Sequence, residues 1–137
     1  MLVIAIVLLA IPVVLGFVVG GRYLFATQFM PYQAAVLGKS WTELEPRLQA
    51  VILAMLRVVG GGFVGLALII AWLCFALHQG ARWAPWAMLT TAAVMLAPAL
   101  FSTLALRKIE PKAKTPLAPT ALAMALIVAG TVVALLS

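Results

Sequence analysis

Four long apolar runs set the limits on what this chain can become. They cover about residues 1–21, 48–77, 83–106 and 116–136. An α-helix needs about 20 apolar residues to cross a hydrocarbon core of ~30 Å, and each run has that length. The alternating apolar–polar segments of a membrane β-barrel are missing. Of the 137 residues only 9% are charged and 66% are hydrophobic, against about 25% charged in a soluble domain. So few charges could not cover a water-facing surface. The expected fold is an all-α membrane protein, an antiparallel four-transmembrane-helix bundle with a long amphipathic first loop. One integral membrane domain is expected over residues 1–137.

The first run lacks the basic leading segment of a signal peptide and is longer than its apolar stretch, so it reads as a retained span, with Pro12 as a site of local bending. The connections differ. Residues 78–82, His-Gln-Gly-Ala-Arg, make a tight hairpin with Gly80 as terminator. Residues 107–115 are basic and close on Pro116. The first connection is much longer than usual and half-apolar, carrying Tyr23, Phe29, Tyr32 and Trp41, as a segment in the headgroup region or over the bundle mouth would. Ser40 with Glu43, or Thr42 with Glu45, has capping-box spacing, and Pro46 suits the first turn of the second span.

Charge placement predicts orientation. The first and third connections hold Arg22, Lys39, Arg47, Arg107, Lys108, Lys112 and Lys114, while the opposite side has Arg82 alone. Basic loops stay cytoplasmic, so loops one and three are expected inside and both termini outside. The net charge of +6 therefore serves topology. It forms no aromatic-interleaved patch and no recognition helix, which excludes nucleic acid as a partner. Anionic lipid headgroups are the expected electrostatic partner.

Arg57 most invites a functional reading, because a charge inside a span costs about 2.5–3.5 kcal/mol on insertion scales. Ala50, Ala54, Arg57, Gly61 and Gly65 share one helical face of small residues, expected to pack on another helix and to turn Arg57 into the bundle mouth near Glu43 or Glu45. The competing reading starts the membrane core at Val58 and lets Arg57 snorkel to phosphates. Arg57, Glu43, Glu45 and Trp41 are the ligand-binding candidates. Gly60, Gly61, Gly62 and Gly65, with the stripe Ala121, Ala125 and Ala129, are expected to be helix-packing positions.

Catalytic signals are thin. Glu43, Glu45 and Glu110 are the only carboxylates and all lie in or beside loops, and Asp is absent. Capping explains Glu43 and Glu45 better than paired acid–base work does. Ion-coupled carriers keep an acidic group within the membrane, and no span here has one. Cys74 and His78 share a helical face but are too few for a metal site. No catalytic residue, metal or cofactor is assigned.

The layout of a first span, a connection with Met30-Pro31 and Leu37-Gly38, and a second span opening on Leu56-Arg57-Val58-Val59-Gly60-Gly61-Gly62 resembles small bacterial four-helix membrane proteins of the DoxX-like kind. The resemblance implies a four-helix inner-membrane bundle and marks Arg57 and the glycines, but it supplies no reaction. The sequence favours a non-enzymatic accessory protein that binds membrane lipids, an apolar or lipid-like ligand, another membrane protein, or a second copy of itself. The alternatives are a membrane-embedded enzyme acting on a hydrophobic small molecule and a small oligomeric transporter.

Overall fold

A computed structural model describes residues 1–137, and every element in it is helical. Helix α1 spans Leu2–Leu24, α2 Pro31–Leu37, α3 Pro46–His78, α4 Ala84–Ile109 and α5 Leu117–Leu135, with a short 3₁₀ turn at Trp41–Glu43. Four of them, α1, α3, α4 and α5, are long and apolar enough to cross a membrane. They overlie the four apolar runs. At 1.5 Å per residue the 33 residues of α3 reach roughly 50 Å, and the 19 of α5 roughly 28 Å. Helix α3 is therefore about 20 Å longer than α5.

Prolines place several helix starts. Pro31 and Pro46 open α2 and α3, where a missing amide costs nothing. Ser40 and Glu43 form the cap expected of them, with the Ser40 amide donating to the Glu43 carboxylate. Gly80, at φ +84°, lets the chain turn sharply between α3 and α4.

The four long helices form a ring in the order α1, α3, α4, α5, each lying against two neighbours. The α1–α3 seam is the most extensive and the α3–α4 seam the sparsest. Along the first of these, Gly16 meets Ala67, whereas Gly20 meets Gly60 and Val64. A methyl group built on Gly20 would lie 2.8 Å from the Gly60 carbonyl oxygen. Backbones can come this close only where neither residue carries a side chain. On the far side of α3, Gly62 faces the Met95 side chain.

Two expected packing faces are corrected here. Gly61 and Gly65 have nothing within 4 Å that a side chain would meet, and Ala50, Ala54 and Arg57 on the same face are exposed. At 100° per residue that face lies opposite the one carrying Leu56, Gly60, Leu66, Ile70 and Leu73, which are buried. Ala121, Ala125 and Ala129 are likewise exposed, because α5 turns Ile127, Gly130, Thr131 and Ala134 inward. The physical reason is solvent. Against lipid a leucine gains nothing by being inside, so small residues are free to lie on either face.

Candidate functional site

The main buried cluster lies toward one end of the bundle, while Tyr23, Phe29, Leu44, Leu56 and Ala113 are buried separately toward the other. Ala5, Leu9, Leu73, Leu77, Ala84, Met88 and Ala134 belong to the main cluster, near the 79–83 hairpin. Toward the first and third connections the helices enclose a chamber of about 530 Å³. Leu66, Ile70, Leu96 and Ile127 belong both to the core cluster and to the chamber wall, and so form its floor.

All four long helices contribute to the wall, and 19 of the 28 lining residues are hydrophobic. Helix α1 supplies Pro12, Gly16 and Val19; α3 supplies Ile52, Leu56, Val59 and Phe63; α4 supplies Met95, Pro98, Ala99 and Ser102; α5 supplies Ala123. Small residues leave the space that leucine would have filled. Pro98 also removes an amide from α4, at a position where a helix commonly bends. Met55, Val59, Val94 and Ser102 line the chamber yet are exposed. The chamber therefore opens sideways along the sparse α3–α4 seam.

The threonines on the wall are already spent. Thr103 donates to the Leu100 carbonyl at 2.9 Å and Thr120 to the Pro116 carbonyl at 2.7 Å. A hydroxyl bonded back to its own helix adds little polarity to the space beside it. The mouth is more polar. The Tyr23 and Tyr32 hydroxyls lie 2.7 Å apart, one donating to the other. Gln33 accepts from the Met30 amide at 2.8 Å, which fixes the start of α2. Burial, and then the bond to Tyr23, push the Tyr32 hydroxyl well above its ordinary value, so it keeps its proton.

Outside the tyrosine pair lies a second hollow of about 670 Å³, bordered by Arg22, Lys112 and Lys114. It shares Val19, Tyr23, Tyr32, Pro116 and Pro119 with the chamber, so the two adjoin at these residues. Neither is lined by a carboxylate.

None of Arg57, Glu43, Glu45 and Trp41 lines the chamber or the hollow. Arg57 is exposed, on the outward face of α3 rather than turned into the mouth. The Glu43 carboxyl is held below the usual carboxylate range, chiefly by the Ser40 amide. Trp41 stacks edge-on against Phe29 with ring centroids 5.2 Å apart, and its carbonyl accepts from the Gln49 side chain at 2.8 Å. It fastens the first connection to the start of α3. Glu45 is exposed just before Pro46. Cys74 packs against the core cluster, while His78 is exposed. Sequence reasoning missed the chamber, the tyrosine pair and the lysines beside it. The available signal was two tyrosines and a basic, proline-closed loop assigned to the same end of the bundle.

Fold and site together define a class: an all-helical protein with four helices of membrane-spanning length around an apolar chamber that opens at a basic mouth. No family model matches the chain, and no curated protein and no solved structure matches it.

Proposed function

We propose that this is a non-catalytic accessory protein of a bacterial inner membrane that holds an apolar, lipid-like molecule between its helices. The observation that carries this reading is the chamber of about 530 Å³. Its size is typical of small-molecule sites, and its walls are predominantly apolar with a few polar groups at one end. Binding is favoured over turnover because the wall offers hydroxyls and one amide but no carboxylate, imidazole or thiol.

The proposal includes an antiparallel bundle, with the first and third connections cytoplasmic and both termini external. Two points support it: contacts along α1 and α3 run in opposite sequence directions, and the basic residues gather in those two connections. Kinship with the DoxX-like proteins is proposed on the layout of the spans alone.

The test is extraction of the purified protein, in neutral detergent, with organic solvent, followed by mass spectrometry of what is released. A stoichiometric apolar molecule is expected from the wild type and not from Ala99→Phe or Ala123→Phe, both of which fill the chamber. A bare wild type, or equal release from all three, refutes the reading.

A second reading has its own observation. The outward small faces, Ala50, Ala54, Gly61 and Gly65 on α3 and Ala121, Ala125 and Ala129 on α5, would let another membrane helix approach closely. A protein partner or second copy held there should be lost on Gly61→Leu with Gly65→Leu. An assembly that survives both changes removes this reading.

A further inference from the structure

We infer that the molecule held is an anionic phospholipid, its chains in the chamber and its negatively charged phosphate head in the hollow bordered by Arg22, Lys112 and Lys114. This rests on the proposal that the chamber is a ligand site and adds the identity of the headgroup.

Three observations converge on that hollow. The first is charge: Arg22 lies in the last turn of α1 and Lys112 and Lys114 lie in the third connection, yet all three border one space with no carboxylate on it. The third connection's own acid, Glu110, is turned into its loop, where its side chain accepts from the Lys112 amide at 3.1 Å. The second is hydrogen bonding. In the 2.7 Å pair of Tyr23 and Tyr32 only one O–H proton is used. The other hydroxyl proton is free to donate to a phosphate oxygen. That pair belongs to both spaces, so it marks the level where a lipid passes from chain to head.

The third observation is adjacency. Pro116, the N-cap of α5, and Pro119, in its first turn, border both spaces. The positive end of that helix's dipole therefore adds to the three side-chain charges. A free anion would use the hollow and leave the apolar chamber behind it empty. A neutral hydrocarbon would use the chamber and leave three cations unmatched. An anionic lipid satisfies both, and the α3–α4 seam gives its chains a sideways entry.

The experiment uses the full chain in neutral detergent, mixed with equal amounts of phosphatidylglycerol and phosphatidylcholine of identical chains, and read by native mass spectrometry. Phosphatidylglycerol should be retained in preference. One lysine near an anionic surface is worth a factor on the order of fivefold, so each of Lys112→Ala and Lys114→Ala should cut the preference by about that much. Lys39→Ala, in the first connection, and Lys108→Ala, in the last turn of α4, each remove the same single charge at positions that do not border the hollow and should each leave the preference intact. Ser102→Trp, at an exposed wall position, and Ala99→Phe should reduce retention of both lipids.

Equal retention of the two lipids by the wild type overturns the headgroup assignment while leaving the chamber as a site. An equal drop from the Lys39 and Lys108 changes overturns it too, because diffuse surface charge would then be the cause. If millimolar inorganic phosphate displaces the lipid, the hollow is a free-anion site and the assignment falls. Retention unaffected by both Ser102→Trp and Ala99→Phe instead sinks the chamber reading on which it rests.

Discussion

The two ends of the bundle are built from the same kinds of residue and pack in opposite ways. At the hairpin end Ala5, Leu9, Leu77, Ala84 and Met88 are buried against one another. At the loop end Ile52, Val59, Met95 and Ala99 surround an open chamber. Hydrophobicity does not separate them. What differs is the tether: α3 and α4 are joined by residues 79–83 alone, whereas the other end is joined through α2, a 3₁₀ turn and the residues between α4 and α5. A short link holds two helices together at its own end and leaves the far end to be set by side chains. Those side chains are small, or include Pro98, and the helices do not close.

The largest effect that would test this contrast lies on the most extensive seam, between α1 and α3. Gly60→Leu would drive a side chain into the α1 backbone at Leu24. A cost of ~3 kcal/mol or more is expected, read as loss of the folded monomer in thermal unfolding or detergent gel filtration. Gly61→Leu, one position on but facing outward, should stay within about 0.5 kcal/mol. Equal damage from both would mean that α3 is rotated from the orientation described. Next comes Met88→Ala, which empties a fully buried position and should cost about 2–5 kcal/mol. Val59→Ala, on an exposed part of the chamber wall, should cost less than about 1 kcal/mol, since no closed cavity is created. A similar loss at both positions would erase the difference between the ends.

This contrast also marks what was legible in the sequence. The four spans were, because twenty apolar residues in a row carry that information without reference to packing. The Ser40–Glu43 cap and the starts at Pro31 and Pro46 were legible for the same local reason: each satisfies or omits specific amides. Which face of α3 turns inward was not. In water Arg57, Gly61 and Gly65 would have read as an outer face by contrast with leucines. In lipid the contrast disappears, and a stripe of small residues has the same pattern as a packing seam. Of the glycines expected to pack, Gly60 lies on the α1 seam and Gly62 against Met95, while Gly61 and Gly65 face outward. The chamber was illegible because it arises from what Gly16, Ala99, Ser102 and Ala123 fail to fill, and unfilled space leaves no periodic trace.

A smaller effect is expected at the chamber mouth. Tyr32→Phe removes the 2.7 Å bond to Tyr23 and should cost about 1 kcal/mol. The pH dependence has a definite sign. The Tyr32 hydroxyl is raised above the ordinary value of 10.0, so the folded state keeps a proton that the unfolded state gives up. Its contribution is fully present below pH 10 and is lost as pH rises from there through the folded value. Unfolding midpoints of wild type and Tyr32→Phe should therefore differ by a constant amount from pH 6 to 9 and converge above 10. A gap that stays constant through pH 11 would mean that the hydroxyl titrates in the folded protein as it does in the unfolded chain, and the mouth would be wetter than its burial implies.

The smallest expected effect discriminates most between the two sides of α3. Arg57 is exposed on the outward face, about 16 Å along a helix that begins at Pro46, taking 1.5 Å per residue. From there its side chain can extend toward the headgroups without crossing the bundle. Arg57→Ala should change stability by no more than about 0.5 kcal/mol and leave retention of any bound lipid as in the wild type. A marked fall in retention, with stability unchanged, would put the ligand on the outside of α3, against the small-residue face of Gly61 and Gly65. The chamber would then be a gap between loosely tethered helices rather than a binding site. The same two measurements on Lys112→Ala should give the opposite pattern, stability unchanged and retention reduced, because that lysine borders the hollow and Arg57 does not.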